Sequence, residues 1–195
     1  SGFFGGAVLE MFPNKVIEDE GRLRNYVIRD NFLTKLFTLA RFRNCGDTGS
    51  IKNFHEDNRL LLKSYNNRLF EELEEIIKKD LEESSFENYE RILNKILSKS
   101  YICESKIDIL EDLMGDISDD ITEDESDLFL KSLDDYRKGR TSFQVPLNIM
   151  KSWMIRLGKT DMKNQTFFEP YPSDLLTLET VKTCQARDFW EWKDW

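Results

Sequence analysis

Residues 54–81, FHEDNRLLLKSYNNRLFEELEEIIKKDL, decide the fold that the sequence predicts. Apolar side chains recur along this stretch at helical spacing with charged side chains between them, namely Leu61, Tyr65, Leu69, Leu73, Ile76 and Ile77. Such a stripe is typical of an amphipathic helix that buries one face. The stretch therefore predicts one long helix that packs against other helices.

Four more helices are predicted downstream, each from its own group of apolar residues. They centre on residues 86–97, 109–117, 128–136 and 146–157. Thr122 and Glu125 have the spacing of a capping box ahead of the third of these. Gly139 and Gly158 stand where a C-terminal glycine ends a helix, and Pro146 suits a first turn. Because the connections are short, we expect antiparallel neighbours and a mainly α bundle of about five helices.

The chain divides into four predicted parts. Residues 1–43 contain a short helix around residues 7–11, an extended piece at 16–17 and a helix around 32–40. These elements cannot bury their apolar faces alone, so we interpret them as the remnant of another domain and expect them to dock both on the helical domain that follows and on upstream sequence. Turn formers at 44–50 predict a linker, 51–176 the helical domain and 177–195 a tryptophan-rich tail. The tail either packs on the bundle or binds a partner.

Composition limits the class of protein and its location. Of the 195 residues, 39% are hydrophobic and 33% are charged, and no apolar run approaches the ~20 residues of a membrane span. Cys45, Cys103 and Cys184 are odd in number and far apart, which predicts neither a disulfide framework nor a zinc site. Free thiols suit a reducing compartment, so we expect a cytoplasmic protein. The net charge of −9 argues against indiscriminate nucleic-acid binding.

A local basic region is nevertheless present at residues 136–175, with seven lysines and arginines against three acidic residues. Its candidate nucleic-acid contacts are Arg137, Lys138, Arg140, Lys151 and Arg156, with aromatic residues nearby. Cations at the end of a helix are also favoured by its exposed carbonyl groups, so a structural role is an equal alternative for the first three. Gln165 and Tyr171 either bind the same ligand or hold the terminal loop in place.

Two other charged features allow a functional and a structural interpretation. His55, Arg59 and Lys63 are spaced to form a polar ridge that could contact nucleic acid, although a structural or capping role is favoured for His55. Residues 104–135 carry thirteen acidic residues and two lysines, typical of a solvated helix face or a surface that repels polyanions. Phosphate-binding glycine loops and a nucleophile elbow are missing from the sequence, so we do not expect a self-contained nucleotide-hydrolysing or acyl-transfer enzyme.

Short motifs in a fixed order resemble two known families. GGAVLEMFP (5–13), EDEGRL (18–23) and RDNF (29–32) resemble the closing segment of a desulfidase family that carries a labile-iron cluster and removes sulfur from thiouracil or thiouridine. FHEDNRLLL (54–62), LMG (113–115), DYRKG (135–139), VPL (145–147) and QTFFEPYP (165–172) resemble the YbgA-like helical domain of unknown function often fused behind it. The resemblance covers about residues 5–176 and implies that residues 1–43 are the C-terminal end of a desulfidase-like α/β domain.

The resemblance implies an accessory, RNA-binding domain of a tRNA 4-thiouridine desulfidase or a close relative. A 4Fe–4S-type cluster would be bound by cysteines of the upstream domain. Because Cys45, Cys103 and Cys184 fall in no matching motif, the resemblance implies no catalytic residue, cofactor or metal ligand in this chain. Its partners would be tRNA and that upstream domain, which residues Glu18, Glu20, Gly21 and Arg22 would contact. The alternative is a non-catalytic helical module that binds a protein through the acidic face and the tail.

Overall fold

The computed structural model describes residues 7, 10–12, 16–79, 83–159, 162 and 164–176. These residues form eight α-helices: α1 (Tyr26–Arg43), α2 (Thr48–Asp57), α3 (Arg59–Tyr65), α4 (Asn67–Lys78), α5 (Glu83–Ser98), α6 (Cys103–Gly115), α7 (Glu123–Arg137) and α8 (Gln144–Arg156). Short 3-10 turns occupy Arg22–Arg24, Ser118–Asp120 and Ser173–Leu176. No strand occurs in the part of the chain that the structure describes. The prediction of a mainly α bundle is confirmed.

The long helix predicted over residues 54–81 is divided into the end of α2, α3 and α4. Asn58 and Asn66 mark the two breaks. The Asn58 side chain donates to the carbonyl of Phe54 at 2.7 Å, and the Asn66 side chain accepts from the amide of Leu69 at 3.0 Å. Asparagine side chains that bond to the backbone compete with the regular helix and favour a cap or turn. Leu61, Tyr65 and Leu73 are nevertheless buried, so the apolar stripe reaches the core on both sides of the break at Asn66.

One hydrophobic core joins the helices of the bundle. Its fully buried side chains come from α2 to α8 and include Ile51, Leu62, Tyr89, Phe129 and Met150. Helix α3 packs on α6, α4 packs on α5, and α7 packs on α8. Adjacent helices joined by short connections thus pack as neighbours, as the loop lengths predict.

The connection between α7 and α8 is a tight turn. Helix α7 begins at the predicted capping box, in which Thr122 and Glu125 each bond to the other's backbone amide. It ends at Gly139, whose φ of 68° lies in the left-handed region that glycine adopts without strain. The amide of Arg140 then donates to the carbonyl of Asp135 at 2.8 Å, which closes the helix end. The turn places residues 139–144 beside α6.

Helix α1 is part of the same core. Leu39 and Phe42 are buried, and the ring of Phe42 stacks on Tyr89 with 5.4 Å between ring centroids. Within the segment predicted as a linker, Asp47 caps α2 by accepting from the amide of Ser50 at 2.7 Å. The predicted division at residues 43 and 51 stays a prediction, as do the helix around 7–11 and the tail 177–195, which fall largely or wholly outside the described residues.

Candidate functional site

The predicted basic residues at the end of α7 form what we name the cationic turn, Arg137, Lys138 and Arg140. All three side chains are about half exposed. Each one meets a carboxylate: Arg137 donates to Glu104 at 3.1 and 3.2 Å, Lys138 to Asp134 at 2.7 Å, and Arg140 to Asp134 and Asp135 at 3.0 and 2.7 Å. The turn is exposed, but its charges are locally balanced.

The two predicted cations of α8 are paired in the same way. Lys151 lies 3.9 Å from Glu169, and Arg156 lies 3.2 Å from Glu125 and donates to the carbonyl of Asp120. Glu125 and Arg137 stand at opposite ends of α7, which at 1.5 Å per residue places them about 18 Å apart. The structure therefore separates Arg156 from the cationic turn by the length of α7, while Lys151 pairs with the loop that follows α8.

The ridge predicted from His55, Arg59 and Lys63 is divided at the break between α2 and α3. His55 is only 2% exposed, and its ring stacks on Phe70 at 5.2 Å between centroids. Its Nδ1 lies 3.1 Å from the hydroxyl of Tyr89, and burial lowers the pKa of the imidazole. Arg59 and Lys63 instead line a groove of about 530 Å³ on the other side of the break.

Gln165 and Tyr171 both hold the terminal loop against the bundle. The Gln165 side chain donates to the carbonyl of Glu56 at 2.5 Å and accepts from the amide of Leu60 at 3.1 Å. Tyr171 is buried, and its hydroxyl donates to Asp30. These contacts fit the loop-holding interpretation of both residues.

The predicted contact motif near the N-terminus forms a compact turn before α1. Glu18 and Arg22 make an ion pair at 3.1 Å. The amide of Gly21 donates to Asp19 at 2.9 Å, and Glu20 is exposed. Local bonds thus hold this turn, and its contact with an upstream domain stays a prediction.

A cavity of about 520 Å³ lies between α1, α3, α6 and the α7–α8 connection. We name it the Lys106 pocket, because the side chain of Lys106 lines it and is only 8% exposed. The Lys106 Nζ lies 3.8 Å from Asp30 Oδ2, 3.5 Å from the centroid of the Tyr101 ring and 4.5 Å from that of Phe143. A cation between two ring faces gains from their negative potential. Aromatic walls and one buried ion pair define the site.

The carboxylate of Asp30 organises the hydroxyl groups of the pocket. Tyr171 donates to Oδ1, and Tyr101 donates to Oδ2 at 3.4 Å. Burial, and then the charge of Asp30, raise the pKa of Tyr101 and of Tyr171. Both phenols therefore stay protonated and act as donors. The Tyr65 hydroxyl donates to the neighbouring Asn31 at 2.8 Å, so α1 and α3 are joined at the same place.

Lys106 differs from the other groups of the pocket in its lack of a close acceptor. Among the described residues, no hydrogen bond joins its Nζ to an acceptor, since Asp30 is 3.8 Å away. Burial lowers the pKa of Lys106 to about 8, against the opposing effect of the Asp30 charge. A buried amine in this state can donate to a ligand oxygen or react as a neutral base or nucleophile.

Asp30, Tyr101 and Lys106 are absent from the sites that the sequence predicts. One signal was present: Lys106 lies three residues after Cys103 and four before Leu110, within the apolar stripe of α6. A lysine at a position of this kind is buried and needs a partner. Nothing in the sequence pairs it with Asp30, which lies on another helix.

Metal binding has little support in the described part of the chain. No three side chains of histidine, cysteine, aspartate or glutamate are grouped there as a metal site requires. Cys45 and Cys103, the two described thiols, are both half-buried; Cys45 lies between α1 and α2, and Cys103 begins α6. No described helix is long and apolar enough to cross a membrane.

The fold and the pocket together define a helical domain built around a buried lysine. A family model described as protein of unknown function, DUF1722, matches residues 59–172, and the chain belongs to this family. Searches of curated proteins and of solved structures found no match. The matched residues include Tyr101, Lys106 and Tyr171, whereas Asp30 lies outside them.

Proposed function

We propose that this chain is an RNA-binding helical domain that serves a desulfidase acting on thiolated pyrimidines of tRNA. One observation carries the proposal: a single connection, α7 to α8, bears the cationic turn on its outer side and a wall of the Lys106 pocket on its inner side. Gly139, Thr141, Ser142 and Phe143 line the pocket, and Arg140 lies between the first two in sequence. Cations and an aromatic cavity are therefore adjacent.

This adjacency suits single-stranded RNA. Proteins recognise unpaired RNA by stacking a splayed base on aromatic side chains while cations hold the backbone. The phosphates would replace carboxylates as partners of Arg137, Lys138 and Arg140. Exposed ion pairs contribute only about 0–1 kcal/mol each, so their exchange for phosphate contacts costs little. A base entering the pocket would meet the rings of Tyr101, Tyr136 and Phe143.

The desulfidase part of the proposal rests on the sequence resemblance. The sulfur-removing chemistry, with its 4Fe–4S-type cluster, belongs to an upstream domain in the cytoplasm. Among the described residues, Cys45 and Cys103 do not form a cluster-binding group. The proposal therefore assigns the cluster to the upstream domain and the RNA contacts to this chain. The turn at Glu18–Arg22 would face that upstream domain.

The test measures tRNA affinity of the full chain over a salt series by fluorescence anisotropy. The double variant Arg140→Glu, Arg156→Glu should bind more weakly, and its salt dependence should flatten by about 0.7 log units for each phosphate that is no longer neutralised. Its unfolding free energy should change little, since surface substitutions usually cost about 0.5 kcal/mol. The matched control, Glu123→Lys with Asp127→Lys, should bind as well as wild type or slightly better. Equal affinity of wild type and the arginine variant at every salt concentration would refute the proposal.

Exposed apolar side chains favour a second candidate function, a module that binds another protein. Leu128 is 60% exposed on α7 amid carboxylates, and Ile155 is 71% exposed on α8. Leu128→Ser with Ile155→Ser should leave tRNA binding intact if the RNA proposal is right. The second function would be favoured by two results together. The wild-type chain would bind no tRNA, and the double variant would lose a self-association or a co-purifying protein that the wild-type chain shows.

A further inference from the structure

Lys106 is a buried amine that faces a cavity, and no described residue offers it a hydrogen-bond acceptor close enough to hold it. Its side chain is 8% exposed, and its Nζ is 3.8 Å from Asp30 and lies against the rings of Tyr101 and Phe143. Burying an ammonium group without hydrogen bonds is costly, whereas a neutral amine is tolerated far better. The burial of Lys106 thus raises the fraction of the lysine that carries a free electron pair, although the charged form still predominates at pH 7.

We propose that Lys106 is a nucleophilic amine that condenses with the carbonyl group of a small aldehyde or ketone bound in the Lys106 pocket. Lysines desolvated in an apolar pocket are the ones that form imines in enzymes. The cavity, about 520 Å³, is within the range of small-molecule sites. This activity goes beyond RNA binding and does not depend on it.

The residues of the pocket can carry each step of the condensation. The electron pair of the neutral Nζ adds to the carbonyl carbon, and the carbonyl π pair moves to its oxygen. Asp30, 3.8 Å from Nζ, takes a proton from the nitrogen and returns it to the oxygen, which gives a carbinolamine. Loss of the hydroxyl with a second proton then forms the C=N bond. One amine and one carbonyl compound yield one imine and one water, with no oxidant or reductant.

The titration of the amine agrees with this geometry. With its pKa lowered to about 8, roughly a tenth of Lys106 is neutral at pH 7, against less than about one part in a thousand of an ordinary lysine. The groups that face it are Asp30 and Tyr26 from α1, Tyr65 from α3, Tyr101 and Cys103 at the start of α6, and Tyr136 from α7. Burial raises the pKa of all four tyrosines, so they stay uncharged while Lys106 titrates.

The experiment labels the full chain with benzaldehyde and sodium cyanoborohydride, which reduces an imine to a stable benzylamine. Peptide mass spectrometry then gives the labelling rate of each lysine at pH 7. Lys106 should be labelled at least ten-fold faster than Lys131, an exposed lysine on α7 that serves as the internal control. In concentrated urea the two rates should become equal.

Two variants test the position of the reaction. Lys106→Arg keeps the charge but should lose the fast label, while Lys131 is labelled as before. Thr141→Trp, which narrows the pocket at a half-buried loop residue, should slow Lys106 at least five-fold without changing Lys131. A folded wild-type chain that labels Lys106 no faster than Lys131 would overturn the proposal, even if Lys106→Arg did not fold. An unchanged Lys106 rate in Thr141→Trp would also overturn it, because the pocket would not be the route.

Discussion

The hydroxyl of Tyr171 donates a hydrogen bond to Asp30, although the two residues are 141 positions apart in the sequence. Tyr171 lies in the loop after α8, whereas Asp30 lies on α1. Asp30 is also the carboxylate nearest to the buried amine of Lys106. The hydrogen bond from Tyr171 therefore holds in place the carboxylate that balances the positive charge of Lys106.

Replacing Tyr171 with phenylalanine should destabilise the chain by about 1.5–3 kcal/mol, the usual contribution of a hydrogen bond to a charged acceptor. The ring packing would be kept while Asp30 loses its donor. Urea unfolding followed by circular dichroism measures the change. Tyr101→Phe is the matched control, because it removes a longer bond of 3.4 Å to the same carboxylate and keeps the ring over Lys106. Equal destabilisation in both variants would contradict the special role of Tyr171.

Stability should rise with pH between about 8 and 9.5 because of Lys106. Burial lowers its folded-state pKa to about 8 from the ordinary 10.5, so the unfolded chain binds more protons in this window. Unfolding free energy increases with pH wherever the unfolded state binds more protons, here by about 1.5 kcal/mol.

The measurement compares urea unfolding of wild type and Lys106→Met at several pH values from 7.5 to 9.5. The methionine variant lacks the titrating group, so the difference between the two curves isolates the effect of Lys106. If the unfolding free energies of the two proteins changed with pH in parallel, the folded and unfolded states would bind the Lys106 proton equally, which would contradict the prediction.

Gly139→Ala should destabilise the chain by about 1 kcal/mol. Its φ of 68° is a left-handed conformation in which a Cβ is unfavourable, although no atom lies within 4 Å to clash with it. Gly115→Ala is the control, since Gly115 ends α6 with a negative φ and equally open space. That change should be neutral or slightly stabilising in thermal unfolding. A destabilisation at residue 115 as large as that at residue 139 would contradict the backbone explanation.

Thr122→Ala should cost about 1 kcal/mol of unfolding free energy. The substitution removes the side-chain oxygen that accepts from the amide of Glu125 at 3.3 Å and so opens the capping box of α7. Asp127→Ala, an exposed change within the same helix, should stay within about 0.5 kcal/mol. Chemical denaturation of the two variants side by side distinguishes them, and similar effects would rule out the cap as the cause.

The spacing of apolar residues was enough to predict the bundle, because burial on one face imposes a helical period on residues such as Leu61 and Leu73. The caps at the two ends of α7, at Thr122 and Gly139, could also be predicted, because caps depend on bonds between residues close in sequence. The breaks at Asn58 and Asn66 were missed because an asparagine on a polar face looks the same whether it is solvated or bonds to the backbone.

The candidate site was harder to predict because its groups meet only in the folded chain. Arg137 and Glu104 are far apart in sequence, so the basic stretch gave no sign that its charges are balanced. Lys106 stands on an apolar stripe, but the position of Asp30 opposite it depends on how α1 packs on α6. A long-range ion pair leaves no spacing pattern in one sequence.

The Asp30–Lys106 pair also limits how this protein can be recombined during evolution. A recombination event between residues 44 and 58 would join helices α3 to α8 to a different N-terminal segment, which would replace α1. Such a chimera would inherit a buried amine without its carboxylate unless the new segment brought an acid on an equivalent helix. The family segment and α1 are therefore expected to be inherited as one unit, with residues 30 and 106 changing together.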